Sequence, residues 1–142
     1  LYAAAGDGWF ESRDGGESWQ QLDEGLRHHY LWSVAVDPDD PELLLVSAAA
    51  GARQAHDSGR AETWIYRRQR GGTWHPVREG LPEPRGTVAS SLAADRAEPG
   101  IFYAANNHGV FRSVDGGESW SRPEITWPAR WRGERVTGVA LA

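Results

Sequence analysis

An eight-residue stretch occurs twice in this chain, as Ser12-Arg13-Asp14-Gly15-Gly16-Glu17-Ser18-Trp19 and again as Ser113-Val114-Asp115-Gly116-Gly117-Glu118-Ser119-Trp120. Its chemistry is that of a tight hairpin turn. A Ser and an Asp two residues apart bond to the backbone of their own turn, and paired glycines take up positive φ without a Cβ clash. The Trp that closes each copy opens the next strand with a large apolar ring, which predicts a repeated pocket filled by Trp19 and by Trp120. The match runs beyond the turn, because Tyr2 corresponds to Tyr103, Phe10 to Phe111 and Trp19 to Trp120 at a single offset of 101.

Between the two copies, Arg67-Arg68-Gln69-Arg70-Gly71-Gly72-Thr73-Trp74 keeps the glycines and the Trp but has Arg67 and Gln69 where Ser and Asp stand elsewhere. It reads as a degenerate third copy. Smaller repeats fall into step with these. Glu24-Gly25-Leu26 and Glu79-Gly80-Leu81 follow their Trp at the same distance, Asp37 and Pro41 are echoed by Asp95 and Pro99 at an offset of 58, and Gly138-Val139-Ala140-Leu141 repeats Ser33-Val34-Ala35-Val36. With 142 residues the chain can bury a single core, and eight Trp and seventeen Gly among short apolar runs without helical periodicity predict an all-β protein rich in turns.

The pattern Ser-x-Asp-x-Gly-x-x-Trp resembles the Asp-box, or BNR, repeat of bacterial β-propeller proteins grouped with sialidases and other glycosyl hydrolases. The resemblance implies a partial β-propeller of about three four-stranded antiparallel blades, a repeat spacing that suits such arrays. With strands A to D counted from the axis outward, the chain is expected to run B-C-D, A-B-C-D, A-B-C-D, A. The expected units are a blade part at 1–26, blades at 27–81 and 82–126, and the first strand of a further blade at 134–142. The expected strands include Thr87 to Ala94, Ser119 to Arg122 and Gly138 to Leu141, and residues 51–62 read as a loop insertion. Because propellers close with about four to eight blades, the reading implies a piece of a longer propeller, or two copies that close one six-bladed ring.

In the propellers this chain resembles, A-B and C-D turns lie on one face, and B-C and D-A connections surround the channel mouth on the other. The resemblance therefore makes the repeated turn residues structural: Ser12, Asp14, Gly16, Trp19, Ser113, Asp115, Gly117 and Trp120. The channel mouth would collect Arg27, His28, His29, Tyr30 and Trp32 from one D-A connection, and Arg53, His56 and Asp57 from the insertion. Trp127, Arg130, Trp131 and Arg132 would join from the last connection. Aromatic faces beside Arg, His and carboxylate suit a sugar or a small anionic ligand. The alternative is that Tyr30 and Trp32 pack between blades while the His and Arg residues are solvated.

Composition removes several function classes. A net charge of −5 with dispersed basic residues argues against nucleic acid, and no stretch reads as a membrane span or a signal peptide, which leaves the compartment open. With no Cys there is neither a disulfide frame nor a thiolate metal site. His28, His29, His56 and Asp57 match no metal-ligand spacing, and no cofactor is expected, since neither a Gly-rich phosphate loop nor a Gly-x-Ser-x-Gly elbow is present. The family resemblance spans sialidases, xyloglucan-type hydrolases, sortilin-type receptors and photosystem assembly factors. The Arg-Ile-Pro signature of sialidases is absent from this chain. A hydrolase needs two facing carboxylates, and Asp7, Asp57, Glu62 and Glu134 are the acids near the expected mouth. The preferred expectation is a non-catalytic binding or scaffolding propeller that takes carbohydrate or another protein at its channel mouth. The alternative is a fragment of a glycoside hydrolase whose catalytic carboxylates lie partly in further blades.

Overall fold

A computed structural model describes residues 1–125, 128–131 and 136–141. Among the described residues ten strands make three antiparallel sheets, the first from β1 (Tyr2–Ala5), β2 (Gly8–Glu11) and β3 (Gln20–Gln21). The second joins β4 (Tyr30–Val36), β5 (Leu44–Ala49), β6 (Thr63–Arg68) and β7 (His75–Val77), and the third joins β8 (Ser91–Ala94), β9 (Phe102–Asn106) and β10 (Gly109–Ser113). Each sheet pairs its strands in chain order, so the chain is all-β and forms a partial β-propeller. Among the described residues no helix is long and apolar enough to cross a membrane.

Strand β5 holds the arrangement together. Its side chains alternate between faces, as the pleat requires. Leu44, Val46 and Ala48 face a cluster with Trp9 of the first sheet and Leu26 of the connection after it, while Leu43, just ahead of β5, and Leu45 face Phe102, Ala104 and Phe111 of the third sheet and Trp120 beyond it. Both faces of the strand are covered, and every residue from Leu44 to Ala49 is buried. Each fully buried leucine contributes roughly 1.5–3 kcal/mol.

The two octapeptides form near-identical turns. Ser12 Oγ donates to Asp14 at 2.8 Å and accepts the Gly16 N–H at 2.7 Å, and Ser113 Oγ repeats both bonds with Asp115 and Gly117 at 2.7 and 2.9 Å. Each Asp then receives the backbone N–H of a later Ser, Ser18 at 2.9 Å and Ser119 at 3.0 Å. Hydrogen bonds from Ser18 and Ser12 hold the Asp14 carboxyl well below the ordinary carboxylate range. At Asp115 burial pushes upward, but the bonds from Ser119 and Ser113 outweigh it and bring the carboxyl down to about 2. Ser113 is 1% exposed. Ser113→Ala should therefore strand the Gly117 N–H and lower stability by about 1–3 kcal/mol, read as a reduced urea midpoint.

Several sequence expectations are corrected. Trp120 fills a pocket against the preceding sheet at 5% exposure, but Trp19 is 43% exposed. Trp74 and Trp120 each dock on the corner of the sheet before them, where their backbone N–H groups donate to the Glu24 and Glu79 carbonyls at 2.8 and 2.9 Å. The strand expected from Thr87 begins only at Ser91, since the Val88 and Ser90 N–H groups bond to the Asn107 and Ser47 side chains instead of a ladder. The outer strand expected at Ser119 to Arg122 is reduced to one bridge between Arg112 and Ser121, as Pro123 offers no further N–H. The insertion contains a short helix, α1 (Ala52–His56), pinned where Ala89 N–H donates to the Ala55 carbonyl at 2.8 Å. Residues 136–141 carry no strand, and Glu134 together with the remainder of the expected 134–142 strand lies outside the described residues.

The degenerate turn gains long-range bonds in place of the local ones. Arg67 still bonds to the residue two ahead, Gln69 Oε1, at 2.9 Å. It also reaches the third sheet, donating through Nε to the Gly116 carbonyl at 2.9 Å. Arg68 turns the other way, pairing with Glu11 of the first sheet.

Candidate functional site

The β1–β2 turn, the connections entering β4 and β8, the insertion with α1 and the β9–β10 turn all lie at one end of the sheets, as strand alternation dictates. At this end three of the aromatic and imidazole residues singled out from the sequence converge. Their meeting depends on one irregularity. Along β4 and β5, Leu31 pairs with Ala48 and Ser33 with Ser47, so Trp32 is the extra residue of a β-bulge. A bulge breaks the ladder and re-aims the side chain of the unpaired residue. Leu31 stays buried at 4% exposure, whereas Trp32 stands 40% exposed.

Against it lies His56, the last residue of α1. The Trp32 and His56 rings meet edge to face with centroids 4.3 Å apart, and the Tyr30 hydroxyl is 3.2 Å from His56 Nε2. Tyr30 itself rests on the small cluster of Ala49, Ala55 and Ala89. The helix thus carries His56 because Ala55, one residue earlier, is buried between two sheets. The result is a ledge on which an indole face, a phenol and an imidazole stand together, the last two joined by the Tyr30–His56 bond.

The other sequence-derived residues are distributed elsewhere. His28 turns into the seam between the first and second sheets, stacked on Trp64 at 5.5 Å and 2.7 Å from the Tyr66 hydroxyl. Burial lowers the His28 pKa and raises that of Tyr66, disfavouring the charged form of both groups that share the bond at His28 Nδ1. His29 points the opposite way, as neighbours on an extended chain do, and its Nδ1 lies 3.1 Å from Asp23. Asp23 also receives the Trp9 N–H at 2.7 Å, which gives it a structural role. Arg27 and Arg53 are exposed, and Asp57 closes its own turn by accepting the Gly59 N–H at 3.0 Å. Arg130 lies in a 3-10 turn (Ala129–Trp131), while Trp127 and Arg132 lie outside the described residues. Among the described residues no group of three His, Cys, Asp or Glu side chains is placed to hold a metal ion.

Sequence reading missed Trp64, Arg78 and Asn107. Arg78 covers the Trp64 ring at 5.4 Å, and the Asn107 side chain ties the β9–β10 turn to the β8 connection by bonding to Val88 N–H and the Gly86 carbonyl, each at 2.9 Å. An Asn in a tight turn was a legible signal. The Arg78 contact was not, since it joins two strands.

No protein-family model and no curated protein matches the chain. Solved structures do. A GH74 xyloglucanase from Xanthomonas campestris aligns with a TM-score of 0.63 and 25% identity over 85% of this chain. A GH74 enzyme from Niastella koreensis aligns with a TM-score of 0.59 and 16% identity over 91%. YCF48 bound to a D1 peptide aligns with a TM-score of 0.53 and 19% identity over 84%. The chain spans 18%, 20% and 34% of the lengths of these three proteins.

Proposed function

We propose that this chain is part of a non-catalytic β-propeller of the BNR/Asp-box repeat type, which takes its ligand at the channel mouth on the ledge of Tyr30, Trp32 and His56. The observation that carries the reading is the bulge at Trp32, which turns a large aromatic face outward beside an imidazole. Bulges cluster where a side chain has to be re-aimed for function. An exposed indole offers a flat apolar surface to a sugar ring or to a planar side chain, and His56 and Tyr30 add directional polar contacts. Carbohydrate and a protein segment are the two ligand classes this chemistry serves.

Glycoside hydrolysis is the second reading, favoured by the 25% identity to a xyloglucanase. It needs a carboxyl held protonated beside a second, ionised one. Asp57 and Asp23 are committed to backbone N–H groups, and the carboxyls with displaced ionisation, Glu11, Asp14 and Asp115, are all lowered. The binding reading requires no such pair.

Titration with xyloglucan oligosaccharides, followed by NMR, tests both readings. Binding should shift the Trp32 indole resonance, and Trp32→Ala or His56→Ala should weaken affinity about ten-fold or more with an unchanged urea midpoint. Shifts confined to the opposite end of the sheets would remove the channel-mouth reading, and released reducing ends would establish hydrolysis.

A further inference from the structure

We propose that His28 is the positioning residue of the ledge: set into the seam between the first and second sheets, it holds the connection that carries Tyr30, and a proton taken up by its ring releases that connection. That this bears on ligand rests on the ledge being the binding site, whereas the placement of Tyr30 can be observed in the protein alone. The connection leaves the first sheet at Leu26 and enters β4 at Tyr30, and Leu26 and Leu31 are both buried. Between them Arg27 is exposed and His29 turns to Asp23. His28 is the member of this stretch that enters the seam.

The His28 and Trp64 rings stack with centroids 5.5 Å apart and planes 14° from parallel, and His28 Nδ1 lies 2.7 Å from the Tyr66 hydroxyl. Both partners belong to β6, and Tyr66 is buried, so the sheet fixes them. Tyr30 follows two residues later. Its hydroxyl reaches His56 at 3.2 Å, and its ring lies 3.9 Å from where a Cβ on Gly6 of the β1–β2 turn would stand. The ring thus sits across the same seam, between a turn of the first sheet and the helix inserted in the second. A shift of His28 reaches it through one intervening residue, with adjacent Cα atoms about 3.8 Å apart.

A proton removes this anchor. In an imidazolium both ring nitrogens are donors. Tyr66 would have to turn a lone pair to Nδ1 and find another acceptor for its own proton inside the seam, where an unmade bond is costly. Burial is the largest influence on His28 and opposes the charge, as do His29 and Arg27, while Glu62, just ahead of β6, favours it. The Trp64 face also favours a cation, but Arg78 already lies over that ring at 5.4 Å. The balance holds the His28 pKa below its ordinary value of 6.5. A histidine lowered on folding leaves the folded state with fewer protons than the unfolded one. The seam is therefore at full strength above about pH 6.5 and weakens as pH falls from there towards the folded value. His28 is half-buried, so its charged ring can turn out to water, and the connection goes with it.

An NMR titration of the ligand-free chain from about pH 8 to about pH 5 tests this, following the His28 and His56 imidazole protons, the Tyr30 ring and the Trp32 indole. Tyr30 should move with the His28 midpoint. In His28→Gln, which is uncharged throughout, that component should vanish and leave only the shift that follows His56. A Tyr30 ring that follows His56 alone in the parent overturns the proposal, as does a Tyr30 titration unchanged by His28→Gln. The parent titration decides the matter even where the variant folds poorly. Xyloglucan oligosaccharide supplies a second readout. Its affinity should fall about ten-fold across this interval in the parent, as the binding-competent fraction shrinks, and less in His28→Gln. An equal fall in both proteins overturns the proposal, whereas absence of binding at every pH sinks the ledge reading and leaves the Tyr30 shifts to decide this one.

Discussion

Gly80→Ala should lower the stability of the folded chain by about 3–5 kcal/mol, the range of severe single substitutions, and the melting temperature by roughly 10 °C. Two costs add at this position. Gly80 has φ +78°, a conformation that L side chains rarely adopt, and an added Cβ would lie 2.6 Å from the Trp120 carbonyl carbon and nearer still to its oxygen. The obstructing atoms are backbone, held by the Trp120 N–H bond to the Glu79 carbonyl, so they cannot swing aside. Gly71 supplies the control, because it has φ +65° and nothing within 4 Å of an added Cβ. Gly71→Ala should cost about 1–2 kcal/mol from backbone conformation alone. Gly25→Ala belongs with Gly80, as its Cβ would lie 2.9 Å from the Trp74 carbonyl carbon. Urea unfolding of the three variants measures the difference, and a Gly80→Ala effect no larger than that of Gly71→Ala would disprove the contact argument.

The same glycines mark how far the sequence can be read. The octapeptide turns were legible because Ser, Asp and Gly act on their own backbone within a few residues. Glu24-Gly25-Leu26 and Glu79-Gly80-Leu81 were visible as a repeat, but the need for Gly comes from a Trp backbone in the following sheet, which no local pattern encodes. Arg67 and Gln69 read as decay of the turn motif for a similar reason. The compensating partners of Arg67 and Arg68 are Gly116 and Glu11, on two different sheets. The burial of Trp120 was likewise hidden, because its pocket is built against the preceding sheet and not by its own turn.

At the candidate site, residue types were legible and their grouping was not. The aromatic and basic connection before β4 and the insertion after β5 stood out by composition, and Tyr30, Trp32 and His56 do meet. The bulge that turns Trp32 outward depends on strand register, which the sequence does not state. His28 was drawn off by Tyr66, and α1 escaped notice because five residues are too few to show a helical period.

Arg68→Met should destabilise the seam between the first and second sheets by about 3–5 kcal/mol, the cost of leaving a buried partner charge uncompensated. Glu11 and Arg68 are 8% and 7% exposed, and the carboxylate also receives the Trp9 indole N–H at 2.9 Å. The guanidinium lies over the Trp74 ring at 4.9 Å, so part of its contribution is apolar contact that Met retains. Combining Glu11→Leu with Arg68→Met removes both charges, and the double variant should recover most of the loss. Burial by itself would raise the Glu11 carboxyl, but the Trp9 and Arg68 bonds outweigh it and hold the carboxyl below its ordinary value of 4.5. A carboxyl lowered on folding contributes its stability above the unfolded value and loses it as pH falls through the folded one. The parent should therefore weaken as pH drops below about 4.5, and the double variant should weaken less over the same interval. Asp14 and Asp115 titrate in both proteins, so the difference between the two curves isolates Glu11. Parallel curves would mean that ionisation of Glu11 contributes nothing to the seam.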